Sequence, residues 1–96
     1  MMTWVLYDIT KNRSRSKVAK FCKEYGLYRV QKSCFLGDLN KNEVDELGLK
    51  CKAMIDLETD AVFLFPVCED DFNKIRLLGN SFDKQLVSGK LQSLIL

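Results

Sequence analysis

The sequence contains no histidine, so no imidazole is available as a general acid, a general base or a metal ligand. It also lacks a glycine-rich phosphate-binding loop and a Ser-His-Asp arrangement. These absences exclude the hydrolases that depend on a catalytic histidine. Any catalysis must therefore come from carboxylate, Lys, Tyr, Ser or Cys side chains, or from a bound metal ion.

Long apolar segments are also missing from the 96 residues. No run approaches the roughly 18 apolar residues of a transmembrane helix, and the first residues, MMTWVLYD, lack the basic-then-apolar layout of a signal peptide. We therefore expect a cytoplasmic protein with no membrane partner. A chain of this length forms one small domain, and burial of further surface in a dimer would stabilise it.

The four cysteines do not form a metal-binding pattern, because no two of them are arranged as C-x-x-C. Each lies among apolar residues, so we interpret Cys22, Cys34, Cys51 and Cys68 as small buried hydrophobic side chains. Reduced thiols are also typical of an intracellular protein.

The charge of the chain is unevenly distributed, although its formal net charge is only +2. Residues 1–32 hold eight basic residues against two acidic ones, and residues 33–96 hold seven basic residues against eleven acidic ones. The balance is thus +6 in the first third and −4 in the remainder. This asymmetry favours a polyanion-binding surface in the first third of the chain. An ordinary solvated helix face is the alternative.

Hydrophobic periodicity predicts alternating strands and helices. The predicted elements are a strand at 3–9, a helix at 11–25, one bent strand or two short strands at 27–36, a helix at 41–56, and strands at 61–67 and 74–79. Gly37-Asp38 is predicted to end the second extended segment. The strand at 61–67 is apolar on both faces, so we predict that it is central in the sheet.

Residues typical of helix ends mark the two predicted helices. Thr10 or Asn12 is a candidate N-cap of the first helix, and Gly26 is well placed to end it. Asn40 followed three residues later by Glu43 resembles a capping box at the start of the second helix.

The element order predicts an α+β fold, a ferredoxin-like βαββαβ sandwich with both helices on one face of the sheet and an extra C-terminal strand. We place this domain at residues 1–79 and a C-terminal tail at residues 80–96. The other face of the sheet is apolar enough that we expect a partner to cover it, as in a homodimer.

Asp8 lies at the predicted end of the first strand, where functional side chains are often presented. Arg13, Arg15 and Lys17 follow it and are candidates for phosphate binding. A structural alternative is that Asp8 caps the helix or pairs with Arg15 or Lys17. In the functional interpretation Asp8 binds Mg²⁺. One carboxylate is a poor site, so two copies of Asp8 would have to meet across a dimer axis.

Several motifs resemble those of the small CRISPR-associated endoribonuclease family that partners the CRISPR spacer integrase. They are YDI at 7–9, RSKVAKF at 15–21, YGLYRVQKSCFLGDL at 25–39 and FPVC at 65–68. The resemblance runs from the first strand to about Gly79, and the combination of YDI with GLxRVQxSxF is its most specific part.

This resemblance implies a ferredoxin-like homodimer that bridges two integrase dimers in a heterohexameric adaptation complex and holds double-stranded prespacer DNA. It also implies, as an alternative, a Mg²⁺-dependent endonuclease that cleaves single-stranded RNA or double-stranded DNA. The tail at 80–96 would then cross the dimer or dock the integrase. A third interpretation is that the chain is a toxin-like ribonuclease of related fold, which would need no integrase partner.

The resemblance also assigns roles to individual residues. Asp8 matches the catalytic and metal-binding aspartate, and the basic positions that bind nucleic acid match Arg15, Lys17 and Arg29. Many relatives carry Arg at the position of Lys17. A lysine cannot form the two-pronged contact with a phosphate that an arginine can form.

Three further positions have less specific roles. Ser33 is either a phosphate contact or a residue that satisfies the backbone at a bend. Phe35 is either a core residue or a platform for base stacking. Tyr7 and Phe35 are assigned supporting roles.

Overall fold

The computed structural model describes residues 1–79, which form one four-stranded sheet and three helices. The elements are β1 Met2–Asp8, α1 Asn12–Glu24, β2 Tyr28–Gln31, β3 Cys34–Asp38, α2 Lys41–Met54, β4 Ala61–Val67 and α3 Glu69–Asn73. The strand order is β2-β3-β1-β4 and all neighbouring strands are antiparallel. The predicted ferredoxin-like βαββαβ fold is confirmed for these residues. The predicted extra strand at 74–79 is not formed, and the tail at 80–96 lies outside the described residues.

The two faces of the sheet follow from the alternation of β1. Val5 and Tyr7 pack into the main core with apolar residues of α1 and α2. Trp4, Leu6 and Asp8 belong to the opposite face, because successive strand residues point to opposite sides. We call this second surface, opposite α1 and α2, the open face. None of the helices within residues 1–79 is long and apolar enough to span a bilayer.

The ends of the helices differ in how well sequence predicted them. The capping box of α2 is confirmed: the Glu43 N–H donates to Asn40 Oδ1 at 2.8 Å, and the Asn40 N–H donates to Glu43 Oε1 at 3.0 Å. Gly26 follows the end of α1 with φ +79°, as predicted. The predicted cap of α1 at Thr10 or Asn12 is wrong, because Lys11 is the N-cap and no side chain caps this helix.

The extended segment at 27–36 forms two strands, β2 and β3, joined by a turn at residues 32 and 33. The prediction that Gly37-Asp38 ends this segment is wrong, because β3 continues through Asp38. Gly37 is needed inside the strand for packing. A Cβ at this position would lie 2.7 Å from Leu27 Cδ2 and 3.1 Å from Leu27 Cα.

Gly37→Ala is therefore expected to destabilise the domain by about 1–3 kcal/mol through overpacking against Leu27. Urea denaturation measures this change in the free energy of unfolding. Gly48→Ala is the matched control, because nothing lies within 4 Å of a Cβ built at Gly48 inside α2. It should leave stability unchanged or raise it by up to about 1 kcal/mol. Equal stability of the two variants would contradict the packing role of Gly37.

The strand at 61–67 is an edge strand of the described sheet, so the prediction that it is central is wrong. Its two apolar faces have different surroundings. Val62 and Leu64 pack against the main core. Phe63 and Phe65 remain 51% and 48% exposed, with their rings stacked at 5.9 Å.

Residues 69–79 do not form the predicted strand at 74–79. They form the short helix α3 followed by an isolated bridge at Leu77. Phe72 and Leu77 pack with Val30 and Leu36 on the open face, so the chain itself covers one part of that face. The part formed by Leu6, Phe63 and Phe65 remains uncovered by residues 1–79.

The cysteines only partly match their predicted burial. Cys22 and Cys51 are buried, and burial raises the pKa of these thiols to about 12 and about 11. Cys34 is half-buried, while Cys68 is exposed, so the prediction is wrong for Cys68. The Cys68 Sγ instead accepts a hydrogen bond from the Asp71 N–H at 3.4 Å and caps α3.

Candidate nucleic-acid and metal site

Asp8 is the last residue of β1, an inner strand of the sheet, and lies opposite Ala61 of β4. Its side chain is exposed. Within residues 1–79 it forms no ion pair and does not cap α1. Arg15, the expected structural partner, instead donates through Nη1 to the Ile9 carbonyl at 3.3 Å. The described contacts therefore leave the Asp8 carboxylate available to a ligand.

A cavity of about 570 Å³ opens beside Asp8 at the end of the open face. It brings together the predicted residues Tyr7, Asp8 and Ser33. Its other lining residues, which sequence analysis did not assign to the site, are Leu6, Gln31, Lys32, Cys34 and Phe63. The cavity thus combines a carboxylate, a cation and a hydroxyl with an apolar wall.

The basic residues of α1 follow Asp8 closely in the sequence, but they do not line the cavity. Arg13 and Lys17 are exposed, and Arg15 is half-buried. The N-terminus of α1 has no side-chain cap and no acidic residue in its first turn. Its free backbone N–H groups and positive dipole end therefore add to the charge of Arg13 and Lys17. This surface favours a polyanion.

Tyr7, Arg29 and Phe35 form a cluster beneath the turn between β2 and β3. The Tyr7 hydroxyl donates to the Lys32 carbonyl at 3.0 Å, and Arg29 donates to the same oxygen from Nε at 3.2 Å and Nη2 at 2.8 Å. The Arg29 guanidinium lies 5.4 Å from the centre of the Phe35 ring. Phe35 is fully buried, so it is a core residue and cannot stack on a base.

Burial also raises the pKa of Tyr7, an effect that the nearby Arg29 guanidinium partly offsets. The phenol therefore stays protonated at neutral pH. This protonation state makes Tyr7 a hydrogen-bond donor rather than a general base.

Asp60 holds the junction between β1 and α1, a role that sequence analysis missed. Asp60 Oδ1 accepts from the Thr10 N–H at 3.1 Å, and Oδ2 accepts from the Asp56 N–H at 2.9 Å. These backbone hydrogen bonds, led by the one from Asp56, lower the pKa of the Asp60 carboxyl. No local pattern signals this contact, because Thr10 and Asp60 are 50 residues apart.

The described residues contain no group of three or more Cys, Asp or Glu side chains that could hold a metal ion. Each chain offers the site one carboxylate, Asp8. Mg²⁺ is commonly held by one or two carboxylates together with waters and substrate phosphates. The donor set therefore fits Mg²⁺ only if a substrate phosphate or a second chain supplies further oxygens.

Comparison with known families decides which family this chain belongs to. The family described as CRISPR associated protein Cas2 matches residues 1–75. The chain belongs to the Cas2 family. The resemblance inferred from the YDI and GLxRVQxSxF motifs is thereby confirmed.

Two Cas2 relatives cover most of the chain. The CRISPR-associated endoribonuclease Cas2 of Desulforudis audaxviator is 41% identical over 71 residues, which are 74% of this chain and 67% of that protein. The crystal structure of Streptococcus pyogenes Cas2 at pH 6.5 superposes with a TM-score of 0.72 and 27% identity, covering 82% of this chain and 100% of that one. Both sequence and fold therefore support the same Cas2 assignment.

A third relative joins the Cas2 sequence to another protein. The Cas1/Cas2 fusion of Thermoproteus tenax, named as an endonuclease in both parts, is 47% identical over 48 residues. These residues are 50% of this chain and 18% of the fusion. In that organism the two proteins thus belong to one polypeptide.

Proposed function

We propose that this chain acts in CRISPR adaptation, the acquisition of spacers in antiviral defence, as a cytoplasmic subunit that holds double-stranded prespacer DNA. In this proposal a homodimer of the chain bridges two dimers of the integrase Cas1 in a heterohexameric complex. The observation that carries it is the exposed, uncapped and basic N-terminus of α1 in a Cas2-family chain. The fused Cas1 and Cas2 of Thermoproteus tenax support the choice of partner.

DNA holding requires only a basic surface of suitable shape. Exposed Lys and Arg side chains neutralise phosphates and release condensed counterions, which supplies most of the affinity without reading sequence. Arg13 and Lys17 can make such contacts without any change in the described fold, because both side chains are exposed. Arg15 is placed between them and would add charge while it holds the Ile9 carbonyl.

The homodimer of this proposal uses the uncovered part of the open face. Leu6, Phe63 and Phe65 are exposed there, and a second copy seated on them would bury apolar surface that residues 1–79 leave in water. Asp8 belongs to the same face, so a symmetric dimer would bring two copies of Asp8 toward each other. We assign the tail at 80–96 to the dimer contact or to the integrase contact.

A second candidate function is a Mg²⁺-dependent endonuclease acting on single-stranded RNA or double-stranded DNA. The names of the Cas2 relatives, which call them endoribonucleases, favour it. The exposed carboxylate of Asp8 in a cavity beside Ser33 and Lys32 supports it as well. Asp8 of each protomer would hold the ion, and Ser33 would donate a hydrogen bond to a phosphate oxygen. A bound Mg²⁺ would supply charge neutralisation of the phosphodiester.

Removing two charges from α1 tests the DNA-holding surface. Arg13→Ala with Lys17→Ala should reduce the slope of log Kobs against log[salt] by about 1.8, because each lost phosphate contact removes about 0.9 on B-DNA. Fluorescence anisotropy with a short duplex at several salt concentrations measures the slope.

The matched control removes two exposed lysines from α2, Lys41→Ala with Lys52→Ala. These residues lie in α2, outside the basic N-terminus of α1 to which the proposal assigns the DNA contact, so their loss should leave the slope unchanged. If both double variants change the slope equally, α1 is not the DNA-binding surface.

A further inference from the structure

Three donors converge on one backbone oxygen at the turn between β2 and β3. The Lys32 carbonyl accepts from the Tyr7 hydroxyl and from Nε and Nη2 of Arg29, at 3.0, 3.2 and 2.8 Å. The Ser33 carbonyl accepts the Tyr7 N–H at 3.0 Å. Both carbonyls of the turn are therefore anchored, and Tyr7 adjoins Asp8 in the strand.

The same contacts occupy the Nε and Nη2 donors of Arg29, which form one edge of its guanidinium group. A guanidinium makes its strongest phosphate contacts by directing two N–H groups in parallel at one anion. In Arg29 the Nε and Nη2 groups are both directed at the Lys32 carbonyl, and the guanidinium packs 5.4 Å from the ring centre of buried Phe35. A two-pronged phosphate contact through this edge would require Arg29 to abandon the turn.

Lys32 offers a cation beside Asp8 and Ser33. Its side chain is exposed and lines the same cavity as Asp8 and Ser33. Neither ion pair within residues 1–79 includes it. Its ammonium group therefore stays available, while its backbone is fixed by Arg29 and Tyr7.

We propose that Arg29 is a positioning residue that, together with Tyr7, clamps the turn so that Lys32 binds a nucleic-acid phosphodiester beside Asp8. This inference rests on the proposed nucleic-acid function and assigns the phosphate contact to Lys32 rather than to Arg29. Arg29 acts through the placement of the turn. Lys32 contributes the charge that the substrate meets.

Arg29→Lys separates the two roles because it keeps the positive charge and loses the fork and the stacking on Phe35. It should increase the exchange rate of the Tyr7 amide, which is bonded to Ser33 in the turn, about tenfold or more. It should also weaken binding to a duplex DNA or single-stranded RNA probe about tenfold. Arg76→Lys makes the same substitution at an exposed arginine after α3, outside the proposed binding surface, and should change neither.

A double-mutant cycle shows whether Arg29 acts through Lys32. Lys32→Ala should weaken binding and lower the salt slope by about 0.9 on duplex DNA. Adding Arg29→Lys to Lys32→Ala should then cost at most about a further twofold. Independent contacts would instead give losses that multiply, and that result would overturn the proposal. If Arg29→Lys changes neither the exchange rate of the Tyr7 amide nor the affinity for the nucleic-acid probe, the proposal is also overturned.

Tyr7→Phe gives a milder test of the clamp if Arg29→Lys fails to fold. It removes one donor to the Lys32 carbonyl while keeping the ring that packs against Phe35 at 6.3 Å. The backbone amide at position 7 should exchange faster in this variant. Tyr28→Phe makes the same change at an exposed tyrosine and is the control, which should leave that exchange rate unchanged. Wild-type chain that binds neither probe would refute the proposed function and the Lys32 contact together. The amide exchange rate tests, independently of nucleic-acid binding, whether Arg29 and Tyr7 hold the turn in place.

Discussion

Asp8→Asn is expected to lower Mg²⁺-dependent cleavage by at least about a hundredfold and to leave the fold unchanged. Loss of a residue that merely orients a metal ligand already costs about 10- to 100-fold, and an amide is a much weaker ligand for Mg²⁺ than a carboxylate. Stability should be preserved because Asp8 is exposed and makes no ion pair within residues 1–79.

The measurement is cleavage of single-stranded RNA and of double-stranded DNA over a Mg²⁺ titration, with thermal unfolding recorded in parallel. Asp45→Asn is the control, because it makes the same chemical change at an exposed carboxylate of α2. Asp45→Asn should cleave as the wild type does. Equal rates for wild type and Asp8→Asn would eliminate Asp8 as the metal ligand of a nuclease.

Spacer acquisition in cells separates the two candidate functions for the same variant. If Asp8→Asn supports acquisition at matched expression, the chain acts in adaptation as a DNA-holding subunit and nuclease activity is a separate property. If acquisition is lost while the variant still binds Cas1 and duplex DNA, the carboxylate itself is required. Loss of DNA binding in Asp8→Asn would contradict the assignment of DNA holding to α1.

Local signals in the sequence predicted the fold well, and contacts between distant residues account for most errors. The capping box at Asn40 was correct because both partners lie within three residues of each other. The predicted cap of α1 was wrong because Lys11 is the N-cap, and the Thr10 N–H before it binds Asp60, 50 residues away. Gly37 was interpreted as a break, although it allows Leu27 to pack against β3.

The strand at 61–67 shows why apolar composition alone misled the prediction of the sheet order. Apolar residues on both faces usually indicate a strand buried on both sides. Here Val62 and Leu64 face the core, whereas Phe63 and Phe65 are on an open face that the described chain only partly covers. Composition could not distinguish burial within the chain from apolar surface that is left exposed.

The candidate site could be located from sequence but not assembled from it. The end of β1 and the basic start of α1 were recognisable because they are adjacent in the chain. Lys32 was missed, since its position beside Asp8 depends on the turn between β2 and β3. The contacts of Arg29 with the Lys32 carbonyl and Phe35 likewise require the folded chain.

Phe63→Asp is expected to weaken the proposed homodimer by about 10- to 10²-fold from lost burial alone. Full burial of an exposed Phe side chain contributes about 1.5–3 kcal/mol. Phe63 is 51% exposed in the protomer, so a partner buries about half of it, and a symmetric interface loses that contribution twice. At 1.4 kcal/mol for each factor of ten, the two losses together account for this range. The new carboxylates would also be desolvated near each other and near Asp8. Sedimentation equilibrium measures the dissociation constant.

Leu49→Asp provides the control, because Leu49 is 69% exposed on α2 and does not belong to the open face. It introduces the same charge and should leave the dimer intact. If the two variants dimerise equally well, the open face is not the dimer interface. In the proposed nuclease, Asp8 of each protomer holds the Mg²⁺ ion, so cleavage should be lost with Phe63→Asp. The surface of α1 belongs to each protomer, so weak DNA binding should survive. Cleavage by a monomeric Phe63→Asp variant would show that one Asp8 is sufficient.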